Sequence, residues 1–368
     1  MTPNNARKTL PGMTGMYGRA LAGLVLLAGL SACAAPSSPH QSSFAAVFRQ
    51  NVTQPRSVQL SPARNQAEVS LGLRLFFEPR LSAGNAMSCA SCHQPGKGFS
   101  NAEPNAAGVT GQRGNRNVPT IYGMDAYRSF FWDGRARSLE EQALGPIQNP
   151  IEMNESLDNA VRKLEAMPYY RTRFREIYGT PVSAQGIGRA IASFERAIAL
   201  KPSRYDHYVA GNLDALSPVE VEGMGIFGRR AHCATCHKGI NFTDNKFHNI
   251  GVGFDRPNPD PGRQAISGNP QDFGAFRTPS LKQMHLSGPF MHDGSQKSLE
   301  EVIDYYDRGG NPNPNLSNEM NPLNLSDRNK AELLAFLRAL ESPGDNLKEL
   351  ASHPSVTLPG EPLPVALR

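Results

Sequence analysis

Cys89-Ala90-Ser91-Cys92-His93 and Cys233-Ala234-Thr235-Cys236-His237 carry the reading of this 368-residue chain. Both are C-x-x-C-H. At that spacing two thiols add to the two vinyl groups of a haem, and the adjoining imidazole becomes an axial ligand of the iron. Two other chemistries use paired cysteines. Zinc ribbons set their pairs roughly 15–20 residues apart, far closer than Cys92 stands to Cys233. A thiol–disulfide couple gives no reason for a histidine after each motif. Two covalent haems c, one in each half of the folded part, are the expectation.

Around the motifs the pattern is helical. Apolar positions from Gln66 to Phe77 (Val69, Leu71, Leu73, Leu75, Phe76) predict a helix that Pro79 closes. Short helices are predicted from Ser138 to Leu144 and, with Ser156 as cap and Pro168 as stop, from Leu157 to Ala166. Ile187, Ile191, Phe194 and Ile198 recur at three- and four-residue spacing in a helix from Ser183 to Leu200. Tyr205 to Asp214 reads as a linker, Pro218 to Phe227 as the helix leading into the second motif, and Asp327 to Leu340 as a helix capped by Ser326. No strong strand signal appears, and a glycine- and asparagine-rich loop runs from Gly96 to Pro119. The fold expected is mainly α, with long ordered loops.

The N-terminus reads as an export signal: Arg7, Lys8 and Arg19 precede an apolar run, Leu21 to Leu30, too short to span a bilayer. Leu30-Ser31-Ala32-Cys33 resembles a bacterial lipoprotein cleavage site, with Cys33 as the acylated first residue. The alternative is an ordinary signal with an incidental, unpaired cysteine. Residues 1–32 are then a signal peptide and 33–62 a flexible tether. A folded N-terminal part follows over 63–210, a C-terminal part over 211–345 and a proline-containing tail over 346–368. Losing the signal removes three positive charges and no acids, which lowers the formal charge from +5 to +2. No basic and aromatic stripe argues for nucleic acid.

Between the motifs lie Phe131-Trp132-Asp133-Gly134-Arg135 and Gln142 to Met153 (QALGPIQNPIEM); beyond the second lie Arg277-Thr278-Pro279-Ser280-Leu281 and Met291-His292-Asp293-Gly294. From about Leu71 to Leu340 the chain resembles the bacterial di-haem cytochrome c peroxidases, the MauG type included. The resemblance implies two cytochrome-c-like haem domains, an N-terminal peroxidatic one and a C-terminal one that exchanges electrons. It sets Glu152 and Gln142 in the peroxide pocket, Pro146 crowding that pocket and Trp132 between the haems. Asn117, Ser287 and Pro289 match the positions that hold a calcium ion, and His292 falls near the C-terminal haem. Breaking the O–O bond needs a group that moves a proton between the two oxygens, and a protected carboxyl can do so near neutral pH. By themselves Glu152 reads as a surface acid, Trp132 as a core aromatic and Asn117 as part of a loop.

The chain departs from the peroxidase pattern twice. Many members block the N-terminal iron with a histidine from the loop after the first motif, yet residues 94 to 120 contain none, and Gly108-Val109-Thr110-Gly111 stands in that place. An open iron in the oxidised protein is expected. Where many peroxidases have a methionine, fourteen residues beyond His292, this chain has Tyr306, as MauG-type enzymes do. An anionic phenolate favours ferric iron and a thioether ferrous iron. The alternative leaves Tyr306 as packing and takes Met284 or Met320 as ligand.

Three functions follow. In the first, hydrogen peroxide is reduced with electrons from a periplasmic cytochrome c or cupredoxin, by a protein lipid-anchored to a membrane. In the second, resembling MauG, aromatic residues of a partner protein supply the electrons and are modified. The third is a plain di-haem electron carrier.

Overall fold

The computed structural model describes residues 64–356. The export signal, Cys33 and the tether lie outside the described residues. None of the described helices is long and apolar enough to cross a membrane. The chain is mainly α, with one two-residue β pair.

Helix α1 (Arg64–Phe76) is followed by the first motif on a single turn of helix, then by α2 (Leu139–Gln148), α3 (Leu157–Glu165), α4 (Pro168–Tyr178) and α5 (Ala184–Ala197). Pro168 starts α4 as well as ending α3, because proline at the first helical position gives up no hydrogen bond that the helix needs. The presumed linker is α6 (Arg204–Val209), whose Tyr205 and Tyr208 are buried in the second core. The change of core therefore falls before the boundary drawn at 210. Next come α7 (Pro218–Gly225), the second motif, β1 (Phe247–His248), β2 (Phe276–Arg277), α8 (Leu299–Asp307) and α9 (Asp327–Ala339). The strands pair antiparallel, Phe247 opposite Arg277. The described part of the expected tail, 346–356, packs on the body. Its residues form α10 (Leu347–Ser352), and Leu347, Leu350, Ala351 and Val356 enter the first core.

Both cores are built on one helix crossing. A Cβ on Gly72 of α1 would stand 1.8 Å from the Ala190 carbonyl oxygen of α5, and one on Gly223 of α7 would stand 1.9 Å from that of Glu332 on α9. Only glycine lets the axes approach so closely. Three phenylalanines pack beside each crossing. Phe76 lies 5.2 Å from Phe194 and 6.1 Å from Phe99; Phe227 lies 5.2 Å from Phe336 and 6.0 Å from Phe242.

The likeness extends to the loops, at a spacing of 160 residues. Phe130-Phe131-Trp132-Asp133-Gly134 and Phe290-Met291-His292-Asp293-Gly294 make the same turn, with positive φ at Phe131 (65°), Gly134 (70°), Met291 (70°) and Gly294 (67°). Each turn leads into a serine-capped helix, α2 after Ser138 and α8 after Ser298. Two backbone hydrogen bonds join the halves reciprocally. Asn117 N–H donates to the His292 carbonyl at 2.7 Å, and Arg277 N–H donates to that of Trp132 at 2.8 Å. Both the donors and the acceptors are 160 apart, so the two halves meet about an approximate twofold axis.

Candidate functional site

All four motif cysteines are free of disulfides, and burial holds their thiols in the protonated form, pushing Cys92 and Cys236 up to about 11 and Cys233 to about 12. They are poor thiolate nucleophiles. Among the described residues no group of four cysteines gathers; the one cluster with metal-ligand spacing is Cys236, Asp244 and His248. The histidines are arranged alike. His93 Nδ1 lies 3.0 Å from the Phe99 carbonyl oxygen, and His237 Nδ1 lies 3.0 Å from that of Phe242. A carbonyl only accepts, so Nδ1 carries the proton and Nε2 keeps its lone pair for a metal. Burial lowers the proton affinity of both rings, which keeps them neutral as ligation requires. Paired free thiols beside a neutral imidazole with Nε2 available fit covalent haem in both halves.

A cavity contains Cys233, Cys236 and His237, and Trp132, Tyr306, Met284, Met320 and His292 also line it. The Tyr306 hydroxyl takes no hydrogen bond among the described residues. Burial, then the neighbouring Cys233 and Cys236, raise its proton affinity. His292 stacks on Phe276 at 3.6 Å, and burial lowers it to about 4. Trp132 Nε1–H donates to the Asn117 carbonyl at 2.9 Å, at the seam between the halves. Asn117, Ser287 and Pro289 line this same cavity. The Asn117 amide donates to the carbonyls of Glu103 (3.0 Å) and Pro104 (3.3 Å), and its Oδ1 takes no hydrogen bond among the described residues.

Glu152 lies in a separate pocket with Phe131, Arg135, Gly145 and Asn149, which the exposed Glu141 and Gln148 also line. Asn149 makes a tight turn here: its Oδ1 takes the Ile151 N–H, and its Nδ2 donates to Glu152 Oε1 at 2.7 Å. Burial raises the Glu152 carboxyl, while the Asn149 hydrogen bond and the charge of Arg135 pull it back. Glu152 is close enough to the motif that its charge raises the Cys92 thiol, after burial. The loop from Gly108 to Gly111 is docked on it: Val109 N–H donates to the Glu152 carbonyl at 2.8 Å. A Cβ on Gly108 would meet the Ile151 carbonyl oxygen at 2.1 Å. Gln142 and Pro146 are half-buried on α2 and do not line this pocket; the Pro146 carbonyl accepts from Met153 N–H at 3.2 Å, which folds the Glu152 turn back onto the helix.

A sequence profile of di-haem cytochrome c peroxidases matches residues 66–214. The methylamine utilization protein MauG of Methylorubrum extorquens is 38% identical over 299 residues, 80% of this chain and 82% of that one. The chain belongs to the di-haem cytochrome c peroxidase family. A cytochrome c peroxidase, IdrP1, from a Pseudomonas species is 32% identical over 334 residues, 82% of this chain and 87% of its own. Among solved structures, a MauG-like protein associated with microbial copper homeostasis superposes with a TM-score of 0.72 at 31% identity, covering 83% of this chain and 98% of that one.

Within the family framework, several residues of the site escaped the sequence reading. Asn149 was announced only by the Asn-Pro pair, a turn signal. Arg116 donates two bonds of 2.8 Å to Asp260 and one of 2.6 Å to Asp133, tying the two halves beside Trp132. Glu195 on α5 is 5% exposed, its Oε2 has no partner among the described residues, and burial pushes it up to about 8. No local pattern marked either one.

Proposed function

We propose that this protein is a peroxidase in which hydrogen peroxide meets the N-terminal haem beside Glu152, and that electrons reach it from the C-terminal haem by way of Trp132. One observation carries the reading: a half-buried carboxyl with raised proton affinity lies within electrostatic reach of the first motif, under a loop that brings no histidine. The haem, when bound, supplies the iron at which peroxide is reduced. The chain's own residues do the rest. Glu152 takes the proton from the inner oxygen of peroxide and returns it to the departing oxygen, so that water leaves. Asn149 fixes the orientation of the carboxyl, and Gln142 and Pro146 shape α2 behind it. The test is the paramagnetic-resonance spectrum of the oxidised protein carrying both haems. A high-spin ferric signal is expected, and two low-spin haems in every redox state would reduce the protein to an electron carrier.

The halves then divide as two cytochrome-c-like haem domains, a peroxidatic one from α1 through α5 with α10 and an electron-transferring one from α6 through α9, in which His93 and His237 would ligate the irons. Tyr306 would ligate the C-terminal iron, because it lines the cavity that holds His237 and its hydroxyl has no partner among the described residues; His292, lining the same cavity, would lie beside that haem. Asn117 Oδ1 and the carbonyls of Ser287 and Pro289 would hold a calcium ion at the seam, since these residues line one cavity and offer hard oxygen donors. Electrons come from a small cytochrome c or a cupredoxin. Tyr306, with the missing distal histidine, also favours a MauG-like reading in which aromatic side chains of a partner protein are the donors. Rapid turnover with reduced cytochrome c separates the first from the second. The protein works in the periplasm, anchored through Cys33, and Cys33→Ser abolishes incorporation of labelled palmitate.

A further inference from the structure

Tyr122 stands where the C-terminal half has Lys282, 160 residues on. It is 4% exposed, and its ring meets Phe99 edge to face at 5.3 Å and 88°. Phe99 is the residue whose carbonyl fixes His93 Nδ1. The other carbonyl near that ring belongs to Pro119, on Tyr122's own segment. Tyr122 therefore lies on the proximal side of the first motif, against the residue whose carbonyl holds the histidine. Its hydroxyl donates to the carboxylate of Asp345, which comes from the segment leading into α10. In the other half the matching side chain, Lys282, is an ammonium paired with Asp206 at 2.8 Å and cannot be oxidised.

We propose that Tyr122 and Asp345 form a proton-coupled redox site that takes up an oxidising equivalent from the N-terminal haem. The proposal rests on the reading that peroxide reacts there. One electron passes from Tyr122 to the haem after peroxide has oxidised it, lowering its oxidation level by one. In the same step the phenolic proton moves along the hydrogen bond to Asp345. The products are a neutral tyrosyl radical and a neutral carboxylic acid. An electron from an external donor, with return of the proton, restores both. Burial, with Asp345 next, sets the phenol well above the usual tyrosine range, so the proton cannot leave ahead of the electron. Phe99 links the two, its ring against Tyr122 and its carbonyl on His93, and the carboxylate keeps the proton within reach for the return.

A purely structural account is available for the same bond. Leu347 N–H donates to Asp345 Oδ1 at 2.9 Å, and the Asn346 amide donates to the Ala197 carbonyl at 3.0 Å, so the segment is anchored in any case. The experiment must therefore read the radical and not stability. The oxidised protein carrying both haems is mixed with one equivalent of hydrogen peroxide and freeze-quenched, and paramagnetic resonance is recorded beside the visible spectrum. A tyrosyl signal is expected, its hyperfine pattern collapsing when tyrosine is ring-deuterated. Tyr122→Phe, which keeps the ring, loses it, and Asp345→Asn loses most of it. A radical that survives in Tyr122→Phe, or no radical although the haem spectrum responds to peroxide, overturns the proposal alone. No haem response at all overturns the peroxide reading with it.

Discussion

Replacing Glu152 with glutamine keeps the length and planar head of the side chain and the partner of Asn149, but the group can no longer take a proton and return it. A positioned acid–base group contributes about 10²–10⁴ in rate, or roughly 3–5 kcal/mol at about 1.4 kcal/mol per decade. The middle of that range, about a thousandfold, is expected, because the Asn149 bond and Arg135 offset part of the burial that makes this carboxyl a strong base. The pH dependence gives a sharper check. Peroxide must meet the ionised form, so the rate falls as pH drops through the folded value of Glu152, which lies above that of an ordinary glutamate. Asn149→Ala removes a bond that favours the ionised form, so the acid limb moves to higher pH; in Glu152→Gln the limb disappears. Stopped-flow measurement of the reaction of peroxide with the oxidised protein reads both. A Glu152→Gln rate within about tenfold of the parent, or a limb that moves down in Asn149→Ala, refutes the assignment.

Tyr306→Met exchanges a phenolate for a thioether, and the potential of the C-terminal haem rises; an unchanged potential and spectrum return ligation to Met284 or Met320. Arg116→Gln leaves Asp133 (3% exposed) and the partly buried Asp260 short of a partner and costs about 3–5 kcal/mol in denaturant unfolding; a loss under about 1 kcal/mol contradicts the seam described. Chelation with EGTA lowers the thermal midpoint of the parent protein and not of Asn117→Ala; equal shifts in both rule out calcium at this position.

The motif chemistry was legible because it is local: C-x-x-C-H states a covalent reaction in five residues, and α5 and α9 announce themselves through apolar periodicity. α4 was missed because Pro168 was read only as a stop, and α6 because two buried tyrosines three apart make too short a pattern. The repeat was legible and went unread. Phe130, Asp133, Gly134, Ser138 and Leu139 recur as Phe290, Asp293, Gly294, Ser298 and Leu299, an agreement that comparing the sequence with itself at a spacing of 160 would have found. Arg116 with Asp260, and Tyr122 with Asp345, pair across 144 and 223 positions. Nothing in the sequence near either partner names the other.

The duplication also bears on the proposed function. One scaffold is used twice, with the same crossing at Gly72 and Gly223 and the same carbonyl behind each histidine, so differences at matched positions are the ones that separate the halves. Pro146 corresponds to Tyr306, and a residue unable to ligate thus stands where the other half offers a phenol. Trp132 corresponds to His292, and each gives its carbonyl to the opposite half. Glu195 corresponds to Leu337 by the same alignment that matches Phe194 with Phe336. The first motif lies within reach of two acids whose proton affinity burial raises, Glu152 acting on Cys92 and Glu195 on Cys89; the second has Asp244, held low by its hydrogen bonds, and Glu319 acting on Cys236. Buried carboxyls cost stability and are of no use to a centre that passes only electrons. Two raised carboxyls beside the first motif are what the proposed division of labour requires: proton chemistry in the N-terminal half, electron supply in the other.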